Sequence, residues 1–181
     1  MRELQVGVVN LPTNDGQLDL IYISGGGAGG GASGLALFSG VPYADGAANS
    51  GVMTENYDSV NKLNFIRWTS GSATQDYNYR IAFMIPSGFR AFPANAVSIG
   101  VRTNDKDNNV ITMTMIDGAG NADAGINGVS VLPSANDTWQ TKTDMPTATY
   151  TAGDWCAIDL HFGNSAASDT VDISRFDVNF G

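Results

Sequence analysis

From residue 35 onward, short apolar runs alternate with polar, glycine-rich turns. The runs at 35–38, 63–69, 79–85, 97–102, 110–116, 126–132, 148–151, 155–162 and 171–180 are each of strand length. Turn-forming clusters separate them, including Ser-Gly at 70–71, Pro-Ser-Gly at 86–88, the polar stretch 104–109 and Ala-Gly-Asp at 152–154. Alternation with a period of two puts Ile81, Phe83 and Ile85 on one face of their strand, and Val97, Ile99 and Val101 on one face of theirs. In the run 155–162, Cys156, Ile158, Leu160 and Phe162 share a face, while Trp155, Asp159 and His161 share the other. The last run changes phase: Val171 and Ile173 lie in one register, Phe176, Val178 and Phe180 in the other. A β-bulge near Ser174-Arg175 would produce that slip. No segment shows helical periodicity. The pattern predicts an all-β, antiparallel two-sheet β-sandwich of jelly-roll type.

The run 110–116 is apolar in both phases, with Ile111, Met113 and Met115 in one and Val110 and Ile116 in the other. It reads as a central strand, or as one covered by another subunit. Before residue 35 lies an apolar run over 18–23 and then a tract of Gly, Ala and Ser from Gly25 to Gly34. Glycine makes such a tract costly to order and offers nothing to bury. The expected organisation is therefore an N-terminal arm or strand with a Gly-rich linker over 1–34, and a sandwich domain over 35–181. A phosphate-cradling loop would need a helix and a Lys-Ser/Thr pair after the glycines, and neither follows.

With 181 residues, 43% hydrophobic and 15% charged, the chain suits one folded domain. The formal net charge of −9 disfavours nucleic acid as a partner. No secretory signal or membrane span is read from the sequence, so synthesis in a cytoplasm is expected. A single cysteine, Cys156, excludes an intrachain disulfide.

Candidate chemistry is sparse. The one histidine, His161, shares a face with Asp159, but Cys156 lies on the opposite face, and no Gly-x-Ser-x-Gly elbow occurs. Of the 18 acidic residues only Glu3 and Glu55 are glutamates, and most aspartates stand in turn contexts. A glycosidase pair is therefore not indicated, and no enzyme activity, catalytic residue or cofactor is expected. Asp105, Asp107 and Asn109 alternate like the first half of a calcium loop, without the glycine and glutamate that complete an EF-hand. They are the candidates for a structural Ca²⁺, with the loop 117–123 a second oxygen-rich segment. Trp139, in a loop setting, and Trp155, facing away from the core side of its strand, are candidates for stacking on sugars.

The loose arm joined by Gly25–Gly34, the sandwich rich in Ala, Asn, Thr, Gly and Asp, and the use of only Lys62, Lys106 and Lys142 as lysines resemble bacteriophage capsid decoration (cement) proteins. The resemblance implies a structural virion protein. It would be a homo-oligomer without catalytic residues, gripping the major capsid protein or other virion proteins. Leu18, Leu20 and Tyr22 of the arm, with Met113 and Met115, are then the interface candidates. The alternative is a lectin-like carbohydrate-binding module, on a phage tail or fibre, because the closing stretch 169–178 is similar to the last strand of many sugar-binding sandwiches.

Overall fold

The computed structural model describes residues 21–24, 33–36, 40–43 and 48–181, the first two segments as backbone. Every described element is a strand. In chain order these are β1 (Ile21–Ser24), β2 (Ser33–Ala36), β3 (Val41–Tyr43), β4 (Val52–Asp58), β5 (Leu63–Thr69), β6 (Asp76–Met84), β7 (Val97–Thr103), β8 (Val110–Asp117), β9 (Val129–Ser130), β10 (Gln140–Asp144), β11 (Trp155–Gly163) and β12 (Thr170–Asn179).

They form two antiparallel sheets. In the seven-stranded sheet, β4, β5 and β12 lie side by side, β7 flanks the other side of β12, and β10 forms the edge beyond β7. The β1–β2 pair joins the C-terminal end of β12 through β2. The five-stranded sheet runs β3-β6-β11-β8-β9. From β5 to β8 the chain crosses between sheets at each step, and it does so again from β9 to β12. Neighbours within a sheet are therefore mostly distant in sequence.

The expected faces are observed. Ile158, Leu160, Phe162, Val97, Ile99 and Val101 are fully buried between the sheets. Trp68 of β5 stacks on Phe162 of β11 across the core at 6.1 Å, with its indole N–H donated to the Ser50 carbonyl. The phase slip in β12 is also present: the pairing with β7 shifts between Ile173 and Phe176. Gly100 of β7 explains how the bulge fits. A Cβ there would lie 2.2 Å from Ser174 Oγ and 3.3 Å from the Arg175 nitrogen.

Several expectations need correction. Met113 and Met115 are 0% exposed and belong to the core cluster, because β8 is a central strand covered by the opposite sheet. They are not on a contact surface. Residues 148–151 are not a strand: the Thr147 and Ala148 N–H groups are donated to the Asp123 carboxylate instead of a ladder. Of 126–132 only β9 pairs as a strand. Leu18 and Leu20 lie outside the described residues, and Tyr22 falls on β1. The boundary expected after residue 34 falls inside β2, while the arm up to residue 20 and residues 25–32 of the glycine tract lie outside the described residues.

Candidate functional site

Three loops are stitched together at one end of the sandwich. Asn104 and Asp169 bridge the β7–β8 and β11–β12 connections, and Asn164 binds the Gln75 N–H of the β5–β6 connection. The calcium candidates sit here, and their oxygens are committed locally. Asp105 accepts from the N–H groups of Asp107 and Asn108 and from the Asn108 amide. Asp107 pairs with Lys106, and Asn109 is buried with its amide donated to Thr103. The turn over 117–123 is similar, since Asp117 accepts from the N–H groups of Ala119 and Asn121 and from the Asn121 amide. Among the described residues no three His, Cys, Asp or Glu side chains gather to hold a metal ion. The alternation of oxygen donors in 105–109 closes a turn.

The opposite end holds a cleft of about 370 Å³ between the 117–123 turn, residues 148–150 and the start of β11. Its floor is built around Asp123, a carboxylate with 1% exposure. Asp123 accepts from the N–H groups of Gly125, Ile126, Thr147 and Ala148 and from the Tyr150 hydroxyl. Burial alone would raise its pKa, but these donors outweigh that and hold it below the ordinary carboxylate value. The same contact, after burial, pushes the Tyr150 phenol well up. Asp123 is thus a structural hub that fixes two loops against each other.

Trp155 stands at the mouth, 61% exposed, because the alternation of β11 turns it away from Cys156 and the core. The turn over 117–121 lies against it: a Cβ on Gly118 would come within 3.2 Å of the Trp155 carbonyl oxygen. Asp117, Asn121, Thr149 and Asp154 line the same cleft as polar residues. A flat apolar surface beside several polar groups suits a ligand with one apolar face and many hydroxyls.

Trp139 does not join this cleft. It lies outside the seven-stranded sheet, its N–H donated to Asp58 Oδ2 at 2.9 Å and its face covered by the Arg102 guanidinium at 4.5 Å. Phe65 meets it edge-on at 5.5 Å. One face of the indole is thus taken by the guanidinium, and its N–H is already donated. Around it runs a charge network that sequence reasoning missed: Asp172, with a side chain 2% exposed, takes Arg67 at 2.6 and 2.8 Å and Arg102 at 2.8 Å. Its signal was available in the phase of β12, which turns Asp172 outward between the core residues Val171 and Ile173. His161 and Asp159 are likewise engaged across strands: His161 Nδ1 meets Asn78 Oδ1 at 3.1 Å, and Asp159 binds Arg80 with both oxygens. Burial first, then nearby carboxylates, pushes the Cys156 thiol up to about 12, which leaves no thiolate for chemistry at neutral pH.

No protein-family model and no curated protein matches the chain. Its likeness is to solved structures. One is TmCBM61 in complex with beta-1,4-galactotriose, with a TM-score of 0.51 and 12% identity over 77% of this chain and 86% of that one. Another comes from carbohydrate-binding modules of the β-sandwich superfamily, studied for promiscuous specificity, with a TM-score of 0.55 and 9% identity over 77% and 56%. A third is the enzymatically active domain of bacteriophage CBA120 tailspike protein 4, with a TM-score of 0.54 and 14% identity. That match covers 78% of this chain but only 19% of the tailspike chain. At such identities the likeness shows the fold, a β-sandwich shared with carbohydrate-binding modules.

Proposed function

We propose that this protein is a non-catalytic glycan-binding β-sandwich module that stacks a sugar on Trp155. The observation that carries the reading is the exposed indole at the mouth of a polar cleft. The sandwich likeness to carbohydrate-binding modules supports it, and the likeness to part of a phage tailspike agrees with a place on a tail or fibre. Residues that would draw suspicion of catalysis have structural work instead: Asp123 holds loops, Asp159 holds Arg80 and Cys156 is a protonated core thiol. The resemblance to capsid decoration proteins rests on composition and layout, and the burial of Met113 and Met115 removes two of its contact candidates.

The test is a glycan array followed by calorimetric titration, with β-1,4-galacto-oligosaccharides as the first probe. Trp155→Ala is expected to weaken binding tenfold or more, about 1.4 kcal/mol, with an unchanged melting temperature. Trp139→Phe should leave the affinity as it was. Absence of any bound glycan, or full affinity in Trp155→Ala, rejects the reading.

A further inference from the structure

Trp155 heads a row that continues beyond the cleft. Along β11 the outward positions are Trp155, Ala157, Asp159 and His161, and the register sets Met84, Ala82, Arg80 and Asn78 of β6 directly beside them. Six residues of strand carry the row about 20 Å across the face of the five-stranded sheet. Its character changes along the way. Next to the indole, Met84 is 53% exposed and the Ala82–Ala157 pair leaves a low apolar floor. Arg80 and Asp159 follow, joined by two bonds of 2.6 and 2.7 Å. The Tyr43 ring packs against the guanidinium with its centroid 5.0 Å away. Beyond them is His161.

We propose that this row is a glycan track continuous with the Trp155 cleft, and that it takes an extended, uncharged oligosaccharide of about four units. The inference rests on the glycan-binding reading and specifies its ligand. An extended β-1,4-linked pyranose chain repeats roughly every 5 Å, so about four units span a row that the strand rise sets at about 20 Å. The order of side chains fits such a chain: an aromatic platform, a floor too low to obstruct a ring, then polar groups. Asp159 engages Arg80 through Nε and Nη2, while the arginine side chain stays 44% exposed. The Tyr43 side chain also hydrogen-bonds to this pair. The exposed edge of the guanidinium with the remaining lone pairs of the carboxylate suits adjacent hydroxyls, one group as donor and the other as acceptor. His161 Nδ1 meets Asn78 Oδ1 at 3.1 Å, and the other ring nitrogen, Nε2, is the one left for a sugar hydroxyl at the far end.

Charge sets the class. Asp117 and Asp154 border the cleft, and Asp159 already neutralises Arg80. With a formal net charge of −9 over the whole chain, a uronate or sialylated glycan would be repelled. A neutral chain meets no such barrier.

The experiment is calorimetric titration of the full chain with neutral and acidic oligosaccharides of two to six units, using the backbone that binds best on the array. The dissociation constant should fall at least tenfold between two and four units and then level off, with acidic oligomers unbound. Arg80→Ala and His161→Ala should each remove most of the gain between two and four units, whereas Trp155→Ala weakens every length. Two variants at different points of the row keep the test decisive if one of them folds poorly. An affinity already constant from two units upward, or equal binding of acidic chains, overturns the track while the cleft reading stands. Binding of no glycan at any length overturns both.

Discussion

At the scale of single residues, the aspartates divide by what they hold. Asp123 serves six donors from two loops, and removing it strands wholly or partly buried N–H groups and the Tyr150 hydroxyl. Each such group costs about 1–3 kcal/mol. Asp123→Ala is therefore expected to destabilise the fold by on the order of 3 kcal/mol, read as a lowered midpoint in urea, and to loosen the cleft. Asp172 joins Arg67 and Arg102 across three strands, and loss of a buried partner of that kind costs about 3–5 kcal/mol. The phase of β12 shows in the sequence that Asp172 turns outward, but the role of Asp123 does not show there. Asp123 stands in a run of Gly, Ala, Asn and Asp that looks like any solvated turn, and its partners Thr147, Ala148 and Tyr150 lie 24 to 27 residues away. Trp155 was legible, because strand alternation alone sets it opposite Cys156. Trp139 was not: what covers its ring comes from Asp58, Phe65 and Arg102, residues brought in by three other strands.

At the scale of elements, the well-read strands are those with one covered face. β7, β11 and β12 carry the faces expected of them, and β8 is the central strand that its two apolar phases indicate. The missed ones, β3, β4 and β10, are all edges with little burial. An edge strand such as Gln140–Asp144 needs no apolar stripe, since its pairing with β7 supplies the hydrogen bonds. Central strands carry the packing energy. Met113→Ala, in β8, should lower stability by about 2–5 kcal/mol as a core truncation does, measured by urea unfolding. A surface contact residue would leave the isolated protein's midpoint unchanged. The loop 105–109 belongs to this scale too. Its carboxylates are bonded within the turn, so millimolar calcium or EDTA should leave the melting temperature where it is, by scanning calorimetry.

At the scale of the whole molecule, the lowered aspartates predict the acid response. Asp58, Asp105, Asp117 and Asp123 have folded pKa values below the ordinary 3.8. Hydrogen bonds led by Asn61, Asn108 and Asn121 lower the first three, and at Asp123 the donors overcome burial. A depressed carboxylate stabilises the fold fully above its unfolded pKa and loses that contribution as pH falls through its folded value. Stability should thus be flat with pH at neutrality and drop below about pH 4, followed by thermal unfolding across a pH series. Asp123→Ala should show a shallower drop, because one of the linked protons is gone.

The sequence by itself determined the fold class, the faces of the central strands, the bulge in β12 and the outward turn of Trp155. All of these follow from local periodicity, which a strand expresses through its own alternation. Tertiary structure decided the rest. Whether an aromatic ring is bare or covered, whether a carboxylate faces a cleft or a backbone, and which outward rows align into one surface depend on neighbours set by strand order. In a sandwich whose chain keeps crossing between sheets, that order joins residues more than a hundred positions apart, as Arg67 and Asp172, 105 positions apart, show. No local pattern carries such a distance.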